Sequence, residues 1–190
     1  MKSTKQLSFG ISGAPGAGKT SIVDEVFRRA SLKYQVLASK DVSRSLARRG
    51  VRVNTESQTD DYLAFLSVRV RDMLQLRADL VIYDRTLLDV LVFMELNGHA
   101  SGWLKDLTQE LIRWQTGQLS LYFYVPVEFE AQGDGCRITD PEINRQIDRI
   151  TVGLLREHRP DFIPLTGSIS ERVRTVFESL SRLGLNLRVE

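Results

Sequence analysis

Apolar residues alternate at Leu7, Phe9 and Ile11 and then give way to glycine, which predicts a short buried strand over 6–12. From Lys19 the period changes, and Ile22, Val23, Val26, Phe27 and Ala30 recur at helical spacing. A second strand is expected at 34–38, and a short helix at 41–49 that Gly50 stops. A longer helix over 58–76 places Leu63, Leu66, Val70, Met73 and Leu74 on one face. The run 80–83 is continuously apolar, reads as a strand and ends on Asp84. Residues 86–96 are helical and close on Asn97-Gly98, a C-terminal stop. The next helix, 103–114, has the stripe Trp103, Leu104, Leu107, Leu111 and Trp114. Residues 119–125 form a strand bounded by Pro126, and 131–139 a polar, glycine-bearing loop. A helix over 141–157 opens with proline in its first turn. A last strand at 162–165 and a last helix at 169–183 complete the chain.

Strands thus alternate with helices from end to end, the pattern of a parallel sheet covered on both faces. No repeat, low-complexity run or linker divides the chain, so residues 1–190 read as one domain. In such a sheet, ligands bind outside the carboxyl ends of the strands.

Composition agrees and narrows the classes. A chain of 190 residues with 42% hydrophobic content builds a sizeable core, and its 26% charged residues mix both signs. The net charge of +2 is too small to identify a nucleic-acid or membrane partner. One cysteine, Cys136, excludes a disulfide framework and a cysteine zinc site, and only His99 and His158 are present to build a histidine site. The N-terminus starts basic but carries no apolar signal core, and no stretch approaches the ~20 apolar residues of a membrane span. The expectation is a soluble, cytoplasmic protein.

The strongest chemistry lies between the first strand and first helix. Gly13, Ala14, Pro15, Gly16, Ala17, Gly18, Lys19 and Thr20 fit G-x-x-x-x-G-K-[ST] in full, with Ser21 following. Glycines let the backbone approach phosphate, and loop N–H groups at a helix N-terminus point at its negative charge. Lys19 is expected on the β- and γ-phosphates and the Thr20 hydroxyl on Mg²⁺. Asp84 stands at a strand end where that ion would lie. It reads either as a metal ligand or as the cap of the helix that follows. Arg85 beside it suits an anion clamp, and Asp89 reads as a solvated helix residue or a partner behind the site.

Asp84-Arg85-Thr86 with Asp89 resembles the D-R-[ST] signature of P-loop nucleoside and nucleotide kinases. Nearly the whole chain is similar to the ribosylnicotinamide kinase-like group, related in fold to deoxynucleoside and thymidylate kinases. Asp41 and Arg44 match that group's acidic residue and arginine after the second strand, where glutamate is more usual. Asp134-Gly135-Cys136-Arg137, the helix 140–149, and Thr166-Gly167-Ser168 with Glu171-Arg172-Val173 match its later motifs. The resemblance implies a P-loop three-layer α/β/α sandwich with a five-stranded, mainly parallel sheet and a helical lid at about 131–158. It also implies that Asp41 takes the acceptor's proton, with Arg44 beside it; Asp41 reads otherwise as the cap of the short helix that follows it. Gln58 borders the acceptor site in such kinases; it reads either a base or amide edge or is a surface residue. Arg137 in the lid loop, with Arg145 and Arg149 on the lid helix, would close over the phosphates or form a solvated face. Arg156 reads as surface and Cys136 as a bystander.

Transfer of the ATP γ-phosphate to a nucleoside, nucleotide or similar small molecule is therefore expected, with Mg²⁺. Two alternatives are a kinase acting on nucleic acid and a switch that hydrolyses ATP or GTP. No guanine-reading N-K-x-D occurs, which favours ATP. A monomer or a homodimer is compatible with the pattern.

Overall fold

The computed structural model describes residues 6–128 and 138–185. Five strands, β1 (Leu7–Ser12), β2 (Val36–Ser39), β3 (Leu80–Asp84), β4 (Leu121–Tyr124) and β5 (Ile163–Pro164), form one sheet in the order β2-β3-β1-β4-β5. Every pairing is parallel. The helices between them are α1 (Lys19–Ala30), α2 (Ser43–Ala47), α3 (Thr59–Gln75), α4 (Leu87–Leu96), α5 (Gly102–Gln118), α6 (Pro141–His158) and α7 (Ile169–Arg182). A single 3-10 turn, Asn54–Glu56, precedes α3 and has no counterpart in the apolar pattern.

Strand alternation divides the core in two. Leu7, Phe9 and Ile11 of β1, with Leu80 and Ile82 of β3, face α1 and α7. Val81 and Tyr83 of β3, with Tyr122 and Tyr124 of β4, face α3 to α6. This is the three-layer α/β/α sandwich with a parallel sheet. Gly10 makes one close approach possible: a Cβ there would lie 2.6 Å from the Thr86 methyl. The chain turns back across the sheet beside β1, so a crevice opens at the carboxyl ends of β1 and β3.

Two helix faces differ from expectation. α3 buries Asp61, Tyr62, Leu66, Arg69 and Met73, and leaves Leu74 58% exposed. α5 buries Leu104, Thr108, Ile112, Gln115 and Thr116, and exposes Trp103 and Leu107. The reason is hydrogen bonding. Thr108 donates to Leu104 O at 2.7 Å, and Gln115 Oε1 accepts from Leu87 N at 2.8 Å. These bonds satisfy the Thr108 hydroxyl and the Gln115 carbonyl oxygen, while Gln115 Nε2 has no hydrogen-bond partner among the described residues; apolar periodicity registers neither. The short helix also contracts from 41–49 to Ser43–Ala47, leaving Asp41 outside it. Among the described residues, no helix is long and apolar enough to cross a membrane.

Candidate active site

The loop between β1 and α1 curls through three glycines at positive φ, Gly13, Gly16 and Gly18. At Gly13 a side chain is excluded outright, because a Cβ would lie 2.3 Å from Val125 O. Lys19 folds back over this loop and donates to Gly13 O and Ala14 O, each at 2.7 Å. Burial, aided by nearby Arg85, lowers its pKa to about 8. The ammonium therefore sits where an anion would relieve its desolvation.

Thr20 Oγ1 donates to Asp84 Oδ2 at 2.8 Å. The other oxygen, Asp84 Oδ1, is buried and has no hydrogen-bond partner among the described residues. Burial raises the Asp84 pKa, against the opposing pull of Lys19, Thr20 and Arg85. Two hard oxygen donors with one orphaned carboxylate oxygen fit Mg²⁺, which takes few protein ligands and fills its shell with phosphate oxygens and water. The described residues contain no cluster of three or more His, Cys, Asp or Glu side chains that could hold a metal ion. The cap of α4 is not Asp84 but Thr86, in a reciprocal capping box with Asp89.

Arg85 is one of two described non-glycine residues at positive φ, with φ +69 against +58 at Asn54. Its N–H donates to Ile11 O at 3.1 Å, its Nε donates to Asp41 Oδ2 at 2.7 Å, and its Nη1 lies 3.5 Å from Asp89 Oδ1. Burial alone would lower the Arg85 pKa, but Asp41 and Asp89 more than reverse that. Burial would raise Asp41, but Arg85 and two hydrogen bonds from Ser43 hold its carboxyl well below the usual range. Asp41 is thus a fixed carboxylate, one oxygen on the α2 entry and the other on Arg85. Behind it, Asp89 also accepts from Ser12 Oγ, and the Tyr122 hydroxyl bridges Ser12 and Thr86 at 2.6 Å each.

Two cavities meet at this pair. One, with about 930 Å³ of open space, runs from Pro15 and Lys19 past Ser21 and Arg44 to Asp84. The other, with about 420 Å³ of open space, is lined in part by Tyr62, Phe65 and Phe93. Asp41, Ser43, Asn54 and Arg85 line both.

Other expected site residues lie elsewhere. Gln58 is exposed, lines neither cavity, and caps α3 reciprocally with Asp61. Its backbone N–H reaches Asp61 Oδ2 at 2.8 Å, so local capping accounts for it. Arg145 and Arg149 pair with Glu142 on their own helix at 2.7 and 3.1 Å and line neither cavity. The Asp134–Arg137 motif, including Arg137, lies outside the described residues.

Sequence reasoning missed Arg69. It is buried, lines the smaller cavity, and donates to Ser39 Oγ at 2.6 Å, Lys40 O at 3.1 Å and Asp84 O at 2.9 Å. Its signal was an arginine at helical spacing between Leu66 and Met73, on the face that turned inward. Asn54 and Tyr62 carried no such signal.

A family model described as an AAA domain matches residues 9–172. No curated protein matches. Among solved structures, NadR in complex with NAD and AMP-PNP superposes with TM-score 0.72 at 13% identity, over 93% of this chain and 49% of that one. NadR in complex with NR gives TM-score 0.75 at 14% identity, over 96% and 52%. The chain thus spans about half the length of these NadR chains. Deoxyadenosine kinase from M. mycoides, with products dCMP and a flexible dCDP bound, gives 0.63 at 15% identity, over 93% and 100%. At these identities the likeness is one of fold.

Proposed function

We propose that this chain, which belongs to the AAA domain family, is a phosphotransferase that moves the γ-phosphate of ATP to a nucleoside, nucleotide or related small molecule. The observation that carries the reading is the Asp41–Arg85 pair standing where the cavity along the glycine loop meets a second one whose lining includes Tyr62, Phe65 and Phe93. A switch needs only the first cavity. The similar folds of NadR with NAD and AMP-PNP bound and of a deoxyadenosine kinase with deoxynucleotide products bound support a site for nucleotides.

In this reading the triphosphate lies along the loop N–H groups, and Lys19 exchanges two backbone carbonyls for phosphate oxygens. Thr20 and Asp84 hold Mg²⁺, which when bound neutralises charge on the phosphate oxygens. The acceptor ring enters between Phe65 and Phe93 and presents its hydroxyl or phosphate to the Asp41–Arg85 junction. The acceptor oxygen bonds to the γ-phosphorus as the bond to the β–γ bridging oxygen breaks and ADP leaves, with Arg85 neutralising charge on the transferring group. Asp41 accepts the hydroxyl proton. A carboxylate held this acidic is a weak base, which suffices because a loose phosphoryl-transfer transition state depends mostly on positioning and charge neutralisation.

The test uses γ-labelled ATP with panels of nucleosides, nucleotides and short oligonucleotides. Label on a nucleoside or nucleotide is expected. Label appearing only in inorganic phosphate would overturn the kinase reading for a hydrolysing switch, and label on oligonucleotides would replace the acceptor class.

A further inference from the structure

Arg172, in the first turn of α7, is 1% exposed and far in sequence from the phosphate loop. Its Nη1 donates to Ala17 O at 2.8 Å, its Nε to Gly167 O at 2.8 Å, and its Nη2 to Glu128 Oε2 at 2.8 Å. Glu128 Oε2 also accepts from Gly167 N at 3.1 Å. One guanidinium therefore ties together the phosphate loop, the exit of β4 and the loop between β5 and α7.

The contact to Ala17 has a geometric consequence. Ala17 C=O and Gly18 N–H belong to one peptide unit, and no cis peptide occurs among the described residues. In a planar trans peptide these two groups point in opposite directions. Pulling the Ala17 carbonyl into the core towards Arg172 turns the Gly18 N–H away from it. Gly18 lines the phosphate-side cavity and Ala17 does not. The same hydrogen bond keeps a carbonyl oxygen from facing the phosphates, where it would repel them. Gly18 sits at φ +93, so its peptide has no side chain of its own to hold it.

We propose that Arg172 is a positioning residue for nucleotide phosphates: it sets the Gly18 amide by holding the Ala17 carbonyl from behind, while Glu128 fixes the guanidinium and the Gly167 loop. Arg172 acts through the Ala17 carbonyl. The proposal rests on the nucleotide reading above.

The test compares ATP with adenosine, which lacks phosphates, by titration calorimetry on wild type, Arg172→Met and Arg172→Lys. Arg172→Met should weaken ATP binding at least tenfold while adenosine binding stays unchanged. Arg172→Lys, which retains a donor for Ala17 O, should recover part of the loss. Equal weakening of both ligands, or ATP binding unchanged in a folded Arg172→Met protein, would overturn the proposal. Where Arg172→Met does not fold, Glu128→Gln carries the same comparison: selective loss of ATP binding supports the clasp, and no loss or equal loss overturns it. Wild type that binds no ATP would remove the nucleotide reading itself, a different outcome from wild-type binding that the variants leave intact.

Discussion

The two sides of the site are built from different material. The phosphate side is backbone: eight consecutive residues, three of them glycines at positive φ, with Lys19 laid over them. The side proposed for the acceptor is side chain: Asp41 follows β2, Asn54 stands in a 3-10 turn, Tyr62 and Arg69 come from α3, Arg85 follows β3, and Phe93 comes from α4. A backbone cradle needs one local conformation. A side-chain pocket needs several elements docked in register. In the first, Gly13 has no room for a Cβ, which would lie 2.3 Å from Val125 O.

The sharpest way to break that contrast is Lys19→Ala. Turnover should fall by about 10³-fold or more, as for loss of a preorganised charge donor, and steady-state assay checks it. Retained turnover would mean that the loop does not handle the transferring phosphate. Next comes Asp41→Asn, which keeps the shape but removes the proton acceptor and the partner of Arg85. Turnover should drop about 10²- to 10⁴-fold, with ATP affinity nearly unchanged. An equal loss in ATP affinity would move Asp41 to the phosphate side.

A pH titration separates the sides further. Lys19 has a folded-state pKa of about 8 against an ordinary 10.5, so its charge is lost as pH rises through 8. ATP affinity should therefore decline above pH 8. Stability should respond with the opposite sign. Below pH 8 both states are protonated and the full cost of the buried ammonium is present. Between 8 and 10.5 only the unfolded chain holds the extra proton, so this group's contribution to stability improves with pH. Parallel ATP titrations and thermal melts from pH 7 to 10 check both, and flat ATP affinity would remove the buried-ammonium account.

The smaller effects concern the periphery. Gln58→Ala should cost about 1 kcal/mol of stability through the lost cap, read by chemical denaturation, without altering acceptor KM. A raised KM would return Gln58 to the pocket. Arg149→Ala should change stability by less than about 0.5 kcal/mol, because its partner Glu142 is exposed. A large fall in turnover with that variant would show the α6 arginines reaching the transferring phosphate.

Legibility in the sequence followed the same divide. The strand–loop–helix at residues 7–30 was readable because all its determinants are adjacent. The alternation of strands and helices held across the chain, with boundaries moving by a few residues. The inward faces of α3 and α5 were read only in part: Leu66, Met73 and Leu104 are in the core and Leu63, Val70, Leu111 and Trp114 pack against it as expected, while the hydrogen-bonded Arg69, Thr108 and Gln115 are buried beside them. Asp84 was open to a capping reading until Thr86 and Asp89 proved to be the cap. Gln58 lay in the expected helix but at its very start, where its side chain serves the backbone.

By itself, the sequence determined the periodicities, the glycines and the lysine that commit residues 13–20 to an anion-binding turn. Those depend on local sterics and on peptide dipoles, which act within a few residues. Only the tertiary structure decided which side chains meet. It gave Arg85 the partners Asp41 and Asp89, turned Arg69 inward beneath Asp84, and set Arg172 behind Ala17 across 155 positions of chain. These are buried charges whose desolvation is offset only by partners from distant segments, and no local pattern records that pairing.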